Sequence, residues 1–222
     1  MIELAKPALD VGLFTNDREG MLEFWQHRAG VEFSELLPLG GGVQQHRHAI
    51  GDSVLKINHS RDPLEEAPAG GIRRLIIARP GIETMDLEDP DGNCLTLVPA
   101  GEVEQIRLEL VVTNLAAHQE FYGTALGLPA LDDATFRCGA SQIRLREGDA
   151  VNDPVQRARG YRYMTIQVFD VRACHREILA RGGREGRAPV KLGDVAHISF
   201  VRDPDGNWIE VSQRKSITGS LD

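Results

Sequence analysis

The sequence predicts an α+β fold of strand–helix–strand modules, four in tandem, with the second cut short. Three observations carry this expectation. The pentapeptide DPDGN occurs twice, starting at Asp89 and again at Asp203, 114 residues apart. A longer stretch, DVGLFTNDREGMLEFWQHRAGV from Asp10, aligns without a gap on RLELVVTNLAAHQEFYGTALGL from Arg107, at an offset of 97. Each pentapeptide is followed by an alternating, strand-like run, CLTLV after the first and WIEVS after the second.

In chain order, the first module spans about 8–60. It opens with a strand, DVGLF. Asp17 caps a helix whose apolar residues recur at helical spacing, and Gly30 stops it. The second module, about 70–99, is the odd one. Its strand IRRLIIAR reaches the turn within about ten residues, too few for a helix. The third module, about 105–148, repeats the first: Asn114 falls on Asp17, Phe121 on Phe24, Tyr122 on Trp25 and Gly127 on Gly30. The fourth, about 160–214, runs through YRYMTIQVF to an N-cap at Asp170, then VRACHREILAR, Gly182 and Gly183. In both turns proline presets φ and glycine supplies the positive φ of a tight hairpin. The polar segments RDPLEEAPAG and REGDAVNDPVQRARG join modules, and PAGEVEQ divides the chain into halves 1–100 and 101–222.

The bulk numbers narrow the function classes. Apolar residues make up 41% and charged residues 26% of 222, with a net charge of −8. That balance argues against nucleic acid as a partner. No apolar run approaches the roughly 20 residues of a membrane span, and the N-terminus lacks a signal-like apolar stretch. Cys94, Cys138 and Cys174 are few, odd in number and scattered, which suits a reducing compartment. The expectation is a cytoplasmic protein with a small-molecule ligand.

The capped helix ending in FY and LG, followed by DPDGNWIE, resembles the vicinal oxygen chelate superfamily. That group includes glyoxalase I, extradiol dioxygenases and bleomycin resistance proteins. The resemblance covers nearly the whole chain and is strongest in RDPDGNWIEVSQR. It implies βαβββ modules paired into two curved-sheet halves that enclose a cavity. It also implies a divalent metal (Fe, Mn, Zn or Ni) held by a histidine of a module's first strand and a glutamate of its last. Family modules pair within and between chains, so a homodimer is open.

The matching positions in this chain depart from that set. In the second half they are Arg107, Tyr163, Arg144 and Glu210, of which only Glu210 suits a metal. In the first half they are Asp10, Lys56, Arg74 and Thr96. The expectation is that no metal is held by the usual ligands. Instead Glu210 would pair with Arg107 or Arg144, and Asp10 with Lys56 or Arg74, because buried charges need partners. The inward set of the second half (Arg107, Glu109, Gln142, Arg144, Tyr163, Thr165, Gln167, Glu210 and Ser212) reads as a polar pocket. There Glu210, Tyr163 and His197 are the candidate acid–base groups, and Arg107, Arg144 and Gln167 the candidate ligand holders.

The remaining histidines divide by context. His27, His118 and His175 lie on predicted helices beside charged residues and read as solvated surface. His46 and His48 share one strand face, as a chelate needs or as a plain polar face would also give, with His59 nearby. His197 precedes the Glu210 strand in a hairpin, so the two could be cross-strand neighbours or unrelated. Cys94 reads as a buried, inert thiol, and Gly40–Gly42 as a hairpin tip or a cover over a pocket. Two functions remain. One is a glyoxalase- or dioxygenase-like enzyme (a lyase, isomerase or dioxygenase) acting on a small oxygenated or anionic molecule at a degenerate metal site. The other is a non-catalytic, sequestering protein of the bleomycin resistance kind.

Overall fold

The computed structural model describes residues 2–221. Among them the strands are β1 (Asp10–Thr15), β2 (Glu32–Gly40), β3 (Val43–Ile50), β4 (Ser53–Ser60), β5 (Ile72–Arg79), β6 (Met85–Glu88) and β7 (Cys94–Pro99). They continue with β8 (Ile106–Val112), β9 (Thr135–Cys138), β10 (Ser141–Glu147), β11 (Gly160–Gln167), β12 (Arg184–Leu192), β13 (Ala196–Arg202) and β14 (Trp208–Arg214). The helices are α1 (Arg18–Glu23), α2 (Leu115–Glu120), α3 (Val171–Ala180) and α4 (Lys215–Thr218). The expected caps form: Asp17 accepts from the Gly20 amide, Asn114 from Ala117 and Asp170 from Ala173. Between Arg79 and Asp89 there is a turn and β6, and no helix.

The strands form two sheets, as an α+β fold of paired curved sheets requires. One has eight strands in the order β12-β13-β14-β11-β1-β4-β3-β2, the other six in the order β6-β7-β5-β8-β10-β9. The sheets therefore do not follow the expected halves 1–100 and 101–222. The first module shares a sheet with the fourth, and the second with the third. The junctions are antiparallel pairs of opening strands, with Asp10 opposite Thr165 and Arg74 opposite Glu109. Alternation along a strand dictates which face is buried but not which strand lies alongside.

The repeated pentapeptide ties this arrangement together. Within each turn the first Asp accepts backbone N–H groups: Asp89 from Asp91 and Asn93, Asp203 from Asn207. Its second oxygen accepts from the aromatic residue of the helix in the same half. The Trp25 indole donates to Asp89 and the Tyr122 hydroxyl to Asp203, each at 3.2 Å. The Asn then reaches across to the other half, Asn93 accepting from the Tyr161 amide and Asn207 from the Gly71 amide. Gly92 and Gly206 supply φ of 81° and 83°. A π-helical turn in each case, Phe24–Arg28 and Phe121–Ala125, aims the aromatic ring at its carboxylate. Trp25 and Tyr122 are fully buried in one apolar core that joins both sheets and the helices.

The sheets differ at their edges. β2 and β12, the arms of the eight-stranded sheet, have nine residues each, whereas β6 and β9 have four each. The larger sheet therefore has the longer edge strands.

Candidate functional site

Alternation on β1 sends Val11 and Leu13 into the core and leaves Asp10, Gly12 and Phe14 on the inner face of the eight-stranded sheet. The same rule places Gln45 and Arg47, Lys56 and Asn58, Tyr163 and Gln167, and Glu210 and Ser212 on that face, lining a cavity of about 320 Å³. At its centre the Lys56 ammonium donates to Thr165 Oγ1 at 2.6 Å and to Glu210 Oε2 at 2.8 Å. Thr165 in turn donates to the same carboxylate oxygen at 2.6 Å. Asp10 Oδ2 lies 3.9 Å from Lys56 Nζ. Asp10 is fully buried, accepts the Val54 amide and is bridged on its other side by Lys6. Burial, the larger influence, holds the Lys6 ammonium below its ordinary range despite the pull of Asp10.

Glu210 is thus paired as expected, but with Lys56 rather than Arg107 or Arg144. Its partner sits 154 positions earlier, because the first and fourth modules share the sheet. Asp10 pairs with Lys6 and Lys56. Arg74 lies on the other sheet, bonded to Asp86 and Thr96. A register shift in the β1–β11 pairing between Gly12 and Leu13 accompanies a row running Asp10, Thr165, Glu210, so Thr165 and not Tyr163 stands beside the carboxylates.

These residues do not fit a divalent metal. The donor set is two carboxylates and a hydroxyl without imidazole, and an ammonium stands in its middle. No group of three His, Cys, Asp or Glu side chains is placed to hold a metal among the described residues. Lys56 occupies with its own positive charge the place a cation would take.

Tyr163 crosses the floor of the cavity. Its ring lies over Gly12, where a Cβ would come within 2.1 Å of ring atoms. Its hydroxyl accepts from Asn58 at 3.1 Å and Gln45 at 3.4 Å, and Lys56 Nζ is 5.5 Å from the ring centre. Burial first, and then the charge of Glu210, push the phenol well above its ordinary pKa. At neutral pH Tyr163 keeps its proton and is not a base.

Of the other candidates, Gln167 joins this cavity, with Nε2 3.5 Å from Asp10 Oδ2. Arg107 and Arg144 do not: they stand on β8 and β10 of the six-stranded sheet, where Arg107 donates to Gln142. His197 does not meet Glu210 either. It pairs in register with Gln213 while Glu210 pairs with Phe200, so alternation turns it to the opposite face, beside Asp170 and Lys191. His48 packs against Gln26 and the edge of Phe33, away from the cavity, and burial lowers its pKa to about 4. Burial lowers His46 and His59 as well.

Two helix histidines are not the solvated surface expected of them. His118 is fully buried, its Nε2 3.5 Å from both Asp203 and Asp205. His175 is buried between Ser199 and Glu185. Cys94 is half-buried beside a hollow rather than enclosed in the core. Gly40–Gly42 form the β2–β3 hairpin tip, with φ of 78°, 55° and 74°, at the cavity mouth.

Sequence reasoning missed Lys6, Arg47, Arg157, Arg187 and Arg214. The pattern Gln45-x-Arg47 facing Lys56-x-Asn58 on neighbouring strands was a usable sign of a polar floor. Arg47 and Arg214 share the Glu35 carboxylate at 3.0 Å each. Arg187 lies 5.6 Å over the Phe200 ring. Among the described residues, neither Arg157 nor Arg187 has a carboxylate partner.

A larger hollow of about 840 Å³ lies against the six-stranded sheet and the two connecting segments. Its size does not make it the stronger site. Its central charges already pair, Arg74 with Asp86 and Glu109, and Arg159 with Asp91. The Arg74 and Glu109 side chains there are 32% and 37% exposed, whereas those of Lys56 and Glu210 are 4% and 12% exposed. Water-excluded charges are the ones that act strongly on a ligand.

Comparison with known proteins agrees with this fold. Residues 103–211 match the model of the Glyoxalase/Bleomycin resistance protein/Dioxygenase superfamily. A probable lactoylglutathione lyase of Vibrio cholerae is 39% identical over 68 residues, 30% of this chain and 49% of that protein. One from Vibrio parahaemolyticus is 42% identical over 62 residues, 27% of this chain and 44% of that one. The chain therefore spans about half the length of the curated relatives it matches or less. Glyoxalase I from Zea mays superposes with a TM-score of 0.75 at 15% identity, covering 93% of this chain and 92% of its own. A putative dioxygenase from Bacillus subtilis gives 0.72 at 11% identity, covering 96% and 90%. Residues 103–211 carry the sequence match to that superfamily, and the whole length shares the fold of these solved structures.

Proposed function

We propose that this chain acts on a small oxygenated organic anion, held without a metal on the inner face of the eight-stranded sheet. One observation carries the reading. Five cationic side chains (Arg47, Lys56, Arg157, Arg187 and Arg214) and a single carboxylate, Glu210, line the cavity of a chain whose net charge is −8. Two of the five, Arg157 and Arg187, are solvent-exposed at the cavity mouth and have no carboxylate partner among the described residues. Such an imbalance inside a polypeptide of the opposite sign favours an anion.

In this reading the arginines hold the anionic group. The Lys56 ammonium polarises a substrate oxygen, and the Glu210 carboxylate is the group placed to accept a proton beside it. Tyr163, kept protonated, donates and positions. The chemistry is proton transfer next to a carbonyl, of the isomerase or lyase kind.

Chelator-treated protein should bind 2-oxo- and 2-hydroxycarboxylates in isothermal titration and wash out a deuterium α to the carbonyl, read by NMR. Arg187→Ala should weaken binding, and Glu210→Gln should abolish wash-out while binding persists. A requirement for added Zn, Mn or Ni, or no binding of any carboxylate, would defeat the proposal. The mutual neutralisation of Lys56 and Glu210 favours a second reading, a sequestering protein. Binding without wash-out in the wild-type chain would select it.

A further inference from the structure

The inner face that carries the charges also carries apolar groups that the proposed anion leaves unexplained. Phe14, Val43, Tyr163 and Phe200 form a buried cluster of their own, separate from the main core. All four line the cavity. Above them stand the two arm tips. Leu39, at the end of β2, and Leu192 and Val195, at the β12–β13 turn, are 50%, 44% and 54% exposed and line the same cavity. The tips turn through glycines of positive φ, Gly40–Gly42 on one side and Gly193 on the other. Large apolar side chains at two hairpin tips, both facing one hollow, lose solvent contact only when something apolar enters between them. Arg157 and Arg187, without a carboxylate partner among the described residues, line that same hollow.

We infer that the ligand is an amphipathic monoanion: a carboxylate taken by Arg157 and Arg187, joined to an alkyl or aryl part. That part lies on the Phe14–Phe200 cluster and beneath Leu39, Leu192 and Val195. This inference rests on the assignment of the cavity to an organic anion and adds the chemical class. The cavity of about 320 Å³ holds roughly ten groups of the size of a water molecule, at about 30 Å³ each. A ligand of roughly ten non-hydrogen atoms, such as octanoate or phenylacetate, fills it.

The test is calorimetric titration of the full chain with n-alkanoates from butanoate to decanoate, alongside the matching 1-alkanols. Affinity should rise about fourfold per methylene, the value of a buried CH₂ group, and level off near octanoate. Alkanols should bind at least about tenfold more weakly than the acids, for want of the charge-assisted bonds. Leu39→Ser combined with Leu192→Ser, both at exposed tips and so tolerated by the fold, should cut the gain per methylene to under about twofold.

Short acids that bind with no gain on lengthening would overturn this inference and leave the anion site standing. Failure of every acid to bind would overturn both. A concentration-dependent dimer in light scattering that the paired serine variant abolishes, with no chain-length dependence, would assign the exposed tips to a second copy and reject the inference.

Discussion

Replacing Lys56 with methionine keeps most of the aliphatic length and removes the ammonium between Glu210 and Thr165. The two charges are 2.8 Å apart, with side chains 4% and 12% exposed. At an effective dielectric constant of 20 their attraction is at most about 6 kcal/mol. Removing one partner of a buried pair costs about 3–5 kcal/mol, because the other is left charged in a poor solvent. Thr165 still donates to Glu210 after the change, and the slight exposure of the carboxylate lets water help, so the lower end applies, about 3 kcal/mol. For a chain of 222 residues that is a fall in melting temperature of roughly 6–12 °C. Urea unfolding at pH 7 measures it directly, provided the dependence on denaturant keeps its slope. Adding Glu210→Gln to the same chain removes the orphaned charge and should restore at least half of the loss. A loss under about 1 kcal/mol for Lys56→Met, or a double variant weaker than the single, would show that the pair does not hold the floor of the cavity.

Other expectations follow from the same contacts. Gly12→Ala places a Cβ where the Tyr163 ring lies, so the ring must swing off β1 and release Asn58 and Gln45, costing about 1–3 kcal/mol. A crystal structure of that variant with the ring still over residue 12 would contradict this. His118 is held above 6.5: burial, the largest influence, lowers it, but the adjacent Asp203 carboxylate, the Asn114 carbonyl and Asp205 together raise it further. A histidine with a raised folded-state pKa contributes stability that is complete below about 6.5 and fades as pH rises through the folded value. The urea midpoint should therefore decline as pH rises above about 6.5, and His118→Gln should flatten that decline. Equal pH slopes in the two proteins would dismiss the role.

Much of the fold could be read from local signals, because caps, turns and periodicity are written within a few residues of where they act. Asp17, Asn114 and Asp170 cap the helices expected of them, and the short span from Arg79 to Asp89 leaves out a helix. The site was less legible for a physical reason. Lys56 and Glu210 meet only because β1 lies beside β11, and nothing in the alternation of either strand names its neighbour. Grouping modules by sequence order therefore put Arg107 and Arg144 with Glu210, when they stand on another sheet. Burial of His118 and His175 was missed similarly, since charged neighbours along a helix do not reveal what packs over it. The inward placement of Tyr163, Gln167 and Glu210 was legible because alternation on β11 and β14 is a local property.

The interlacing of the sheets has a consequence for the chain as a physical object. A cut in the segment 99–105 would separate β1 from β11 and β5 from β8, the two junctions at the centres of the sheets. Each fragment would carry two half-sheets with raw inner edges, and also half of the turn contacts, since Asn93 and Asn207 reach across the cut. Neither fragment could bury those edges by itself, yet each offers the edge the other lacks. Nicked protein should remain one particle, and fragments mixed from solution should find each other. The same complementarity lets two intact chains trade halves through a stretched 99–105 segment, giving an exchanged dimer with every strand contact preserved.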